Sequence, residues 1–142
     1  MDALETIKTF FRTHQLTIIK QLKQQGISIS LETIPDILHA TNFQQRSQTH
    51  PEACDCYSSE IGLCHKIENL NCFLCGCPYY PSENPSEQCK LDPSRGNHIP
   101  YNNPPSNTLL DCNTCNHPHN PKIVETYIRK NINSLKRLSE SI

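Results

Sequence analysis

Nine cysteines lie between Cys54 and Cys115, and the stretch from Pro51 to Pro121 that contains them also holds ten of the eleven prolines. Proline fixes φ and removes a backbone donor, so a segment this rich in it does not propagate a long helix or a central strand. Neither helical nor strand periodicity extends over a useful length there, and the region is expected to be irregular. An irregular region needs something other than hydrocarbon to hold it. Only 35% of the 142 residues are hydrophobic and 6% aromatic, with no tryptophan, which makes apolar burial alone a thin basis for a compact fold. An odd number of cysteines disfavours a closed disulfide framework, and in a reducing compartment clustered thiols hold metal rather than each other.

That compartment is expected to be the cytoplasm. No apolar run approaches the ~20 residues needed to span a bilayer, and the N-terminal MDALETIKTFFRTHQ has no basic start, apolar stretch or small-residue cleavage site. No membrane association is expected.

Charge is unevenly distributed around a formal net of -1. Residues 1–50 carry 5 basic and 4 acidic side chains, residues 51–121 carry 3 and 8, and residues 122–142 carry 5 and 2. The cysteine-rich part is therefore acidic before any thiol ionises. A divalent ion held by four thiolates adds two further negative charges and repels phosphate, so nucleic acid is an unlikely partner on electrostatic grounds.

The flanks read differently. From Asp2 to about Gln25, Leu4, Ile7, Phe11, Ile18 and Leu22 recur at helical spacing, opposite Lys8, Arg12, Lys20 and Lys23. Asp2 with Glu5 resembles a capping box, and Gly26 stands where a left-handed cap is wanted. Ile27, Ile29 and Leu31 alternate with serines like a short strand, and Pro35 can open a brief helix over Asp36 to Phe43. Leu91 to Leu110 reads as a long loop whose ends Cys89 and Cys112 could tie through metal. After it, Asn120 and Pro121 are suited to start a helix carrying Val124, Tyr127, Ile128, Leu135, Leu138 and Ile142 on one face. The expected organisation is a helical segment over residues 1–50, a cysteine-rich metal-binding domain over 51–121 and an amphipathic helix over 122–142. The expected fold class is a small irregular metal-stabilised domain, α+β and mostly coil, flanked by N- and C-terminal amphipathic helices.

Candidate ligands run Cys54-x-Cys56, Cys64-His65, Cys72-x2-Cys75-x-Cys77-Pro78, Cys89 and Cys112-x2-Cys115-x-His117-x-His119. A Cys-x2-Cys turn lets two sulfurs converge on one tetrahedral ion while backbone amides hydrogen-bond to them. Pairing Cys72 and Cys75 with Cys112 and Cys115 would make one four-cysteine knuckle, leaving Cys54, Cys56, Cys64, Cys77, Cys89, His65 and His119 for a second site. Spacing does not fix which ligand belongs to which site. Zinc is the first expectation. The Cys77-Pro78 ending of the run also suggests an iron-sulfur cluster, although its spacing differs from that of bacterial ferredoxins. His14, His39 and His50 read as ordinary surface or boundary residues, with His98 and His117 less favoured as ligands than His65 and His119.

At these residues the chain resembles the cysteine-rich small domain family, a prokaryotic zinc-finger-like group. The resemblance rests on Cys64-His65-Lys66, Asn71-Cys72-Phe73-Leu74-Cys75-Gly76-Cys77-Pro78-Tyr79-Tyr80, Cys89, Asp111-Cys112-Asn113-Thr114-Cys115 and Pro118-His119, and covers Cys56 to Tyr127. It implies metal binding by cysteine and histidine and no settled activity. Two features depart from the pattern: seven residues separate Cys56 from Cys64, whereas the family's first cysteine usually stands four residues ahead of the Cys-His pair, and Cys89 is followed by Lys90-Leu91 rather than a glycine-rich turn. The combined ligand set is Cys56, Cys64, His65, Cys72, Cys75, Cys77, Cys89, Cys112, Cys115 and His119. The expected function is a structural or partner-binding module whose partner is another protein. An iron-sulfur redox accessory protein and a metallochaperone are the alternatives. No catalytic constellation or phosphate-cradling glycine loop is present, so an enzyme is the less favoured reading.

Overall fold

The computed structural model describes residues 3–57, 69–84, 86–100, 108–112 and 115–142. It is an α+β chain with five α-helices and a two-stranded antiparallel sheet among the described residues, and helices stand at both ends. The contacts divide it into two compact units, each assembled from two stretches of sequence. A hairpin unit comprises Met1–His14 and Gly76–Cys115, and a helical unit comprises Gln15–Cys75 and Asn116–Ile142.

The helical unit is built on hydrocarbon. Helix α1, Ala3–Gln24, contributes its second half, where Ile18, Ile19 and Leu22 are buried. The side chains of Leu4 and Ile7, and the Asp2 cap, lie outside the described residues. Gly26 ends the helix as its position predicts. It adopts φ 79°, its amide donates to the Lys23 carbonyl at 3.0 Å, and the Ile27 amide donates to the Leu22 carbonyl at 2.9 Å. This is the paired closure that a left-handed residue makes possible.

The alternating Ile27-Ile29-Leu31 segment forms no strand. Thr33 Oγ1 instead donates to the Ser28 carbonyl at 2.6 Å and accepts from the Ser30 amide at 3.0 Å, which curls the segment into a turn that buries Ile29 and exposes Leu31. Helix α2, Ile34–Thr41, has proline in its first turn as expected. At Asn42 the backbone becomes extended (φ −67°, ψ 153°), and the Asn42 side chain accepts from the Gln45 amide to start a further helix, α3, Phe43–Thr49. The α2–α3 junction holds the next stretch of chain through an isolated bridge between Asn42 and Asn71. The Phe43 amide donates to the Leu70 carbonyl and the Cys72 amide to the Thr41 carbonyl, each at 2.8 Å.

Asn120 caps helix α4, Pro121–Lys130, by accepting from the Lys122 amide. The single C-terminal helix expected from the sequence is in fact two. Asn131 interrupts it, with its side-chain amide on the Tyr127 carbonyl at 2.9 Å, and α5 resumes over Ile132–Glu140. Its apolar face reads as expected except at its end: Val124, Ile128 and Leu135 are buried, whereas Ile142 is exposed. These residues join Ile18, Ile19, Leu22, Ile29, Ile34, Ile37, Ala40, Phe73 and Leu74 in one continuous core.

Among the described residues, the hairpin unit has a much thinner interior. The sequence from Leu91 to Leu110, expected to be a loop, contains strand β1, Asn97–Pro100, paired antiparallel with strand β2, Thr108–Asp111, in a register that sets His98 opposite Leu110. Gly96 enters β1 at φ 73°, where a Cβ would stand 2.8 Å from Leu110 Cδ1 and 2.9 Å from the Asp111 carbonyl. Tyr80 is buried beneath β2 with its hydroxyl donating to the Leu110 carbonyl at 2.6 Å. Its ring stacks on Phe11 at a 4.4 Å centroid separation. Phe11, Tyr80 and Leu110 supply its apolar contacts among the described residues, and none of them belongs to the continuous core.

Candidate metal centre

The structure groups the cysteines by unit. In the hairpin unit, Cys77, Cys89, Cys112 and Cys115 are electrostatic neighbours. Cys112 senses Cys115, Cys77 and Cys89, and Cys77 senses Cys89 and Cys115. Cys72 and Cys75 belong to the helical unit, and the run Cys72-x2-Cys75-x-Cys77 is divided between Cys75 and Gly76.

Local hydrogen bonds explain how the four thiols are presented. The amides of Tyr79 and Tyr80 hydrogen-bond to the Cys77 sulfur, while the Tyr80 amide also reaches the Cys77 carbonyl at 3.2 Å. Lys90, next to Cys89, donates its amide to the Tyr79 carbonyl at 2.9 Å, which ties the two cysteine-bearing segments together. The Cys115 amide donates to the Cys112 carbonyl at 2.9 Å, closing the second turn directly after β2. Arg95 supplies the only cation hydrogen-bonded to this group among the described residues: its Nη1 donates to Cys115 Sγ at 3.7 Å. Its buried Nε finds no hydrogen-bond acceptor and lies 3.6 Å from Asp92 Oδ2, whose carboxylate accepts from Ser94.

Burial pushes the Cys112 thiol up to about 11, and the neighbouring Cys115, Cys77, Cys89 and Asp111 reinforce the shift. Burial likewise raises Cys77, opposed by the Tyr79 amide and reinforced by Cys89 and Cys115. Each thiolate formed makes the next harder to form. A divalent cation reverses that relation, because it favours ionisation of every thiol at once.

In the helical unit, Cys72 is buried and its thiol raised chiefly by that burial. A hydrogen bond with Tyr57 and the charge of Arg46 oppose the shift, and Cys54 and Cys56 add to it. The Cys75 amide donates to the Cys72 carbonyl at 3.2 Å. His119, also buried, is fastened twice to the residue before Cys72. The Asn71 amide donates to the His119 carbonyl at 2.9 Å, and His119 Nδ1 lies 3.0 Å from the Asn71 carbonyl. A carbonyl only accepts, so this contact assigns a proton to Nδ1. That is the arrangement in which metal-ligating histidines are commonly held.

Cys64 and His65 lie outside the described residues. His39 is exposed and His14 and His50 partly exposed, as ordinary boundary residues would be, and His98 Nε2 lies 2.9 Å from the Glu87 carbonyl. Among the described residues, no three His, Cys, Asp or Glu side chains already converge as a metal-holding group. The chain matches no family model, no curated protein and no solved structure. No helix among the described residues is long and apolar enough to cross a membrane.

Arg46, Tyr57 and Arg95 are absent from the sequence-derived set, and Cys54 entered it only as a surplus donor. Nothing in their local sequence marks them, because they are identified by what the fold brings beside a thiol.

Proposed function

We propose that the chain is a metal-binding module whose primary centre is formed by Cys77, Cys89, Cys112 and Cys115, with zinc as the metal and a structural, partner-presenting role. What supports the reading is that Cys115, Cys77 and Cys89 raise the Cys112 thiol and Cys89 and Cys115 raise Cys77, in the unit that contributes none of the described residues of the hydrophobic core cluster. The donor set suits the group. Four sulfurs match a closed tetrahedral site, and the Tyr79 and Tyr80 amides and Arg95 Nη1 offset the charge that thiolates would carry. A bound zinc ion would supply cross-linking of two chain segments, worth on the order of 10 kcal/mol of folding free energy in small zinc-dependent domains.

A four-thiolate site has no open position for substrate, which favours structure over catalysis. Its net negative charge favours a protein partner over nucleic acid. The resemblance to the cysteine-rich small domain family supports the same reading, and the dependence on reduced thiols fits a cytoplasmic setting. The test is metal and acid-labile sulfide analysis, with an absorption spectrum, on protein purified without oxygen. Zinc in a colourless protein, with one equivalent lost in Cys112→Ser, is the expected result. Iron with sulfide would replace the structural reading by electron transfer, and a chain that retains no metal would overturn the proposal.

A further inference from the structure

The hairpin unit sets two cysteine sulfurs beside one short stretch of backbone. Cys112 directly follows β2, and the Cys115 amide donates to the Cys112 carbonyl at 2.9 Å. Such a closure over three residues keeps the two Cα atoms within about 7 Å, comparable with the span of roughly 4.4–6.8 Å that a disulfide bridges. Arg95 and Gly96, which lead into β1, lie against both sulfurs. Arg95 Nη1 donates to Cys115 Sγ at 3.7 Å, and a Cβ added at Gly96 would stand 3.5 Å from Cys112 Sγ. The guanidinium is itself held: Asp92 Oδ2 lies 3.6 Å from Arg95 Nε, and Asp92 Oδ1 accepts from the Ser94 amide and hydroxyl. Cys112 and Cys115 are both partly exposed. The Cys72-x2-Cys75 turn has the same backbone closure, at 3.2 Å, but its Cys72 is only 4% exposed. A sulfur that is open to solvent and beside a fixed cation is the one an oxidant meets first.

We propose that Cys112 and Cys115 form an oxidisable dithiol that a hydroperoxide closes to a disulfide, with Cys115 as the attacking sulfur and Arg95 as the residue that positions it. The Cys115 sulfur attacks a peroxide oxygen. An S–O bond forms, the O–O bond breaks, and the thiol proton goes to the departing oxygen, which leaves as an alcohol or as water. The Cys112 sulfur then attacks Cys115. The S–S bond forms, the S–O bond breaks, and the Cys112 proton leaves with the hydroxyl as water. Two thiols thereby lose two electrons, and the peroxide gains them. This goes beyond the metal-binding reading and does not rest on it, because the turn and the Arg95 contact belong to the chain itself. Where zinc is held by these sulfurs, closing the disulfide removes two of its four donors and releases the ion.

The experiment treats the full chain, purified without oxygen and carrying whatever metal it holds, with stoichiometric hydrogen peroxide. Free thiols are then blocked and the bonds mapped by peptide mass spectrometry, with released zinc measured alongside. A Cys112–Cys115 disulfide is expected as the first product, with Cys72 and Cys75 still reduced. Cys112→Ser should leave a sulfenic acid on Cys115 that dimedone traps. Arg95→Gln should slow oxidation of Cys115 about tenfold while alkylation of Cys77 keeps its rate, and Arg95→Lys should restore part of the loss. Oxidation of the Cys72–Cys75 pair first, or sulfenic acid trapped on Cys112 in Cys115→Ser but not on Cys115 in Cys112→Ser, overturns the assignment. An Arg95→Gln chain that oxidises at the wild-type rate, or whose Cys77 alkylation changes in parallel, overturns the positioning role. A Cys112–Cys115 disulfide in a chain that retained no metal sinks the zinc reading alone. Zinc kept through oxidation with no Cys112–Cys115 bond sinks this inference alone.

Discussion

The two units differ in how much hydrocarbon they gather among the described residues. The helical unit gathers twelve buried hydrophobic residues from α1, α2, α4, α5 and the Phe73-Leu74 turn into one core, and such a core supports itself through the apolar area it removes from water. The hairpin unit has a two-stranded sheet, a Phe11–Tyr80 stack and Leu110, and an isolated pair of strands is marginal in water. Cys77, Cys89, Cys112 and Cys115 all belong to this unit, and the proposed metal would supply what its interior lacks. The difference teaches that, among the described residues, the apolar core of this chain is confined to one of its two units.

The comparison breaks most visibly on metal removal. Chelation should abolish amide-exchange protection over Asn97–Pro100 and Thr108–Asp111 while the amides of α4 and the second half of α1 stay protected. Uniform loss across both units would show that ligation supports the whole molecule. A smaller effect is expected from Ile128→Ala, which opens a cavity in the core of the helical unit and should cost about 3 kcal/mol of stability. Thermal unfolding with metal analysis checks it, and the metal proposed for the hairpin unit should remain bound at ambient temperature. Smallest is Gly96→Ala. The left-handed backbone there costs a side chain about 1–2 kcal/mol, with contacts to Leu110 and Asp111 added. It should shorten exchange lifetimes in the hairpin and leave α4 untouched.

How much of this was legible beforehand depended on how local the physics is. The caps at Gly26 and Asn120-Pro121 involve residues within one turn of each other, and they stand where the sequence places them. The breaks at Asn42 and Asn131 were missed, although asparagine is the residue whose side chain competes for nearby backbone groups. Apolar periodicity continued through both positions and masked them. The β1–β2 pairing joins residues on either side of a proline-rich segment, and nothing in the run of 91–110 announces a register. Cysteine spacing names candidate donors but does not say which of them are neighbours. Cys75 and Cys77 are neighbours in sequence, yet they belong to different units, and the neighbours of Cys77 are Cys89, Cys112 and Cys115.

Each unit takes up the chain, leaves it and returns. The helical unit is interrupted by the whole of residues 76–115, so as the polypeptide emerges from a ribosome the apolar face of α1 at Ile18, Ile19 and Leu22 precedes Val124 and Ile128 by about a hundred residues. At 5–20 residues per second that is roughly 5–20 seconds of exposure. During this interval the nascent chain presents a greasy, half-built surface to the cell, and any cofactor delivery to the intervening cysteines can begin before the core that flanks them in sequence has closed.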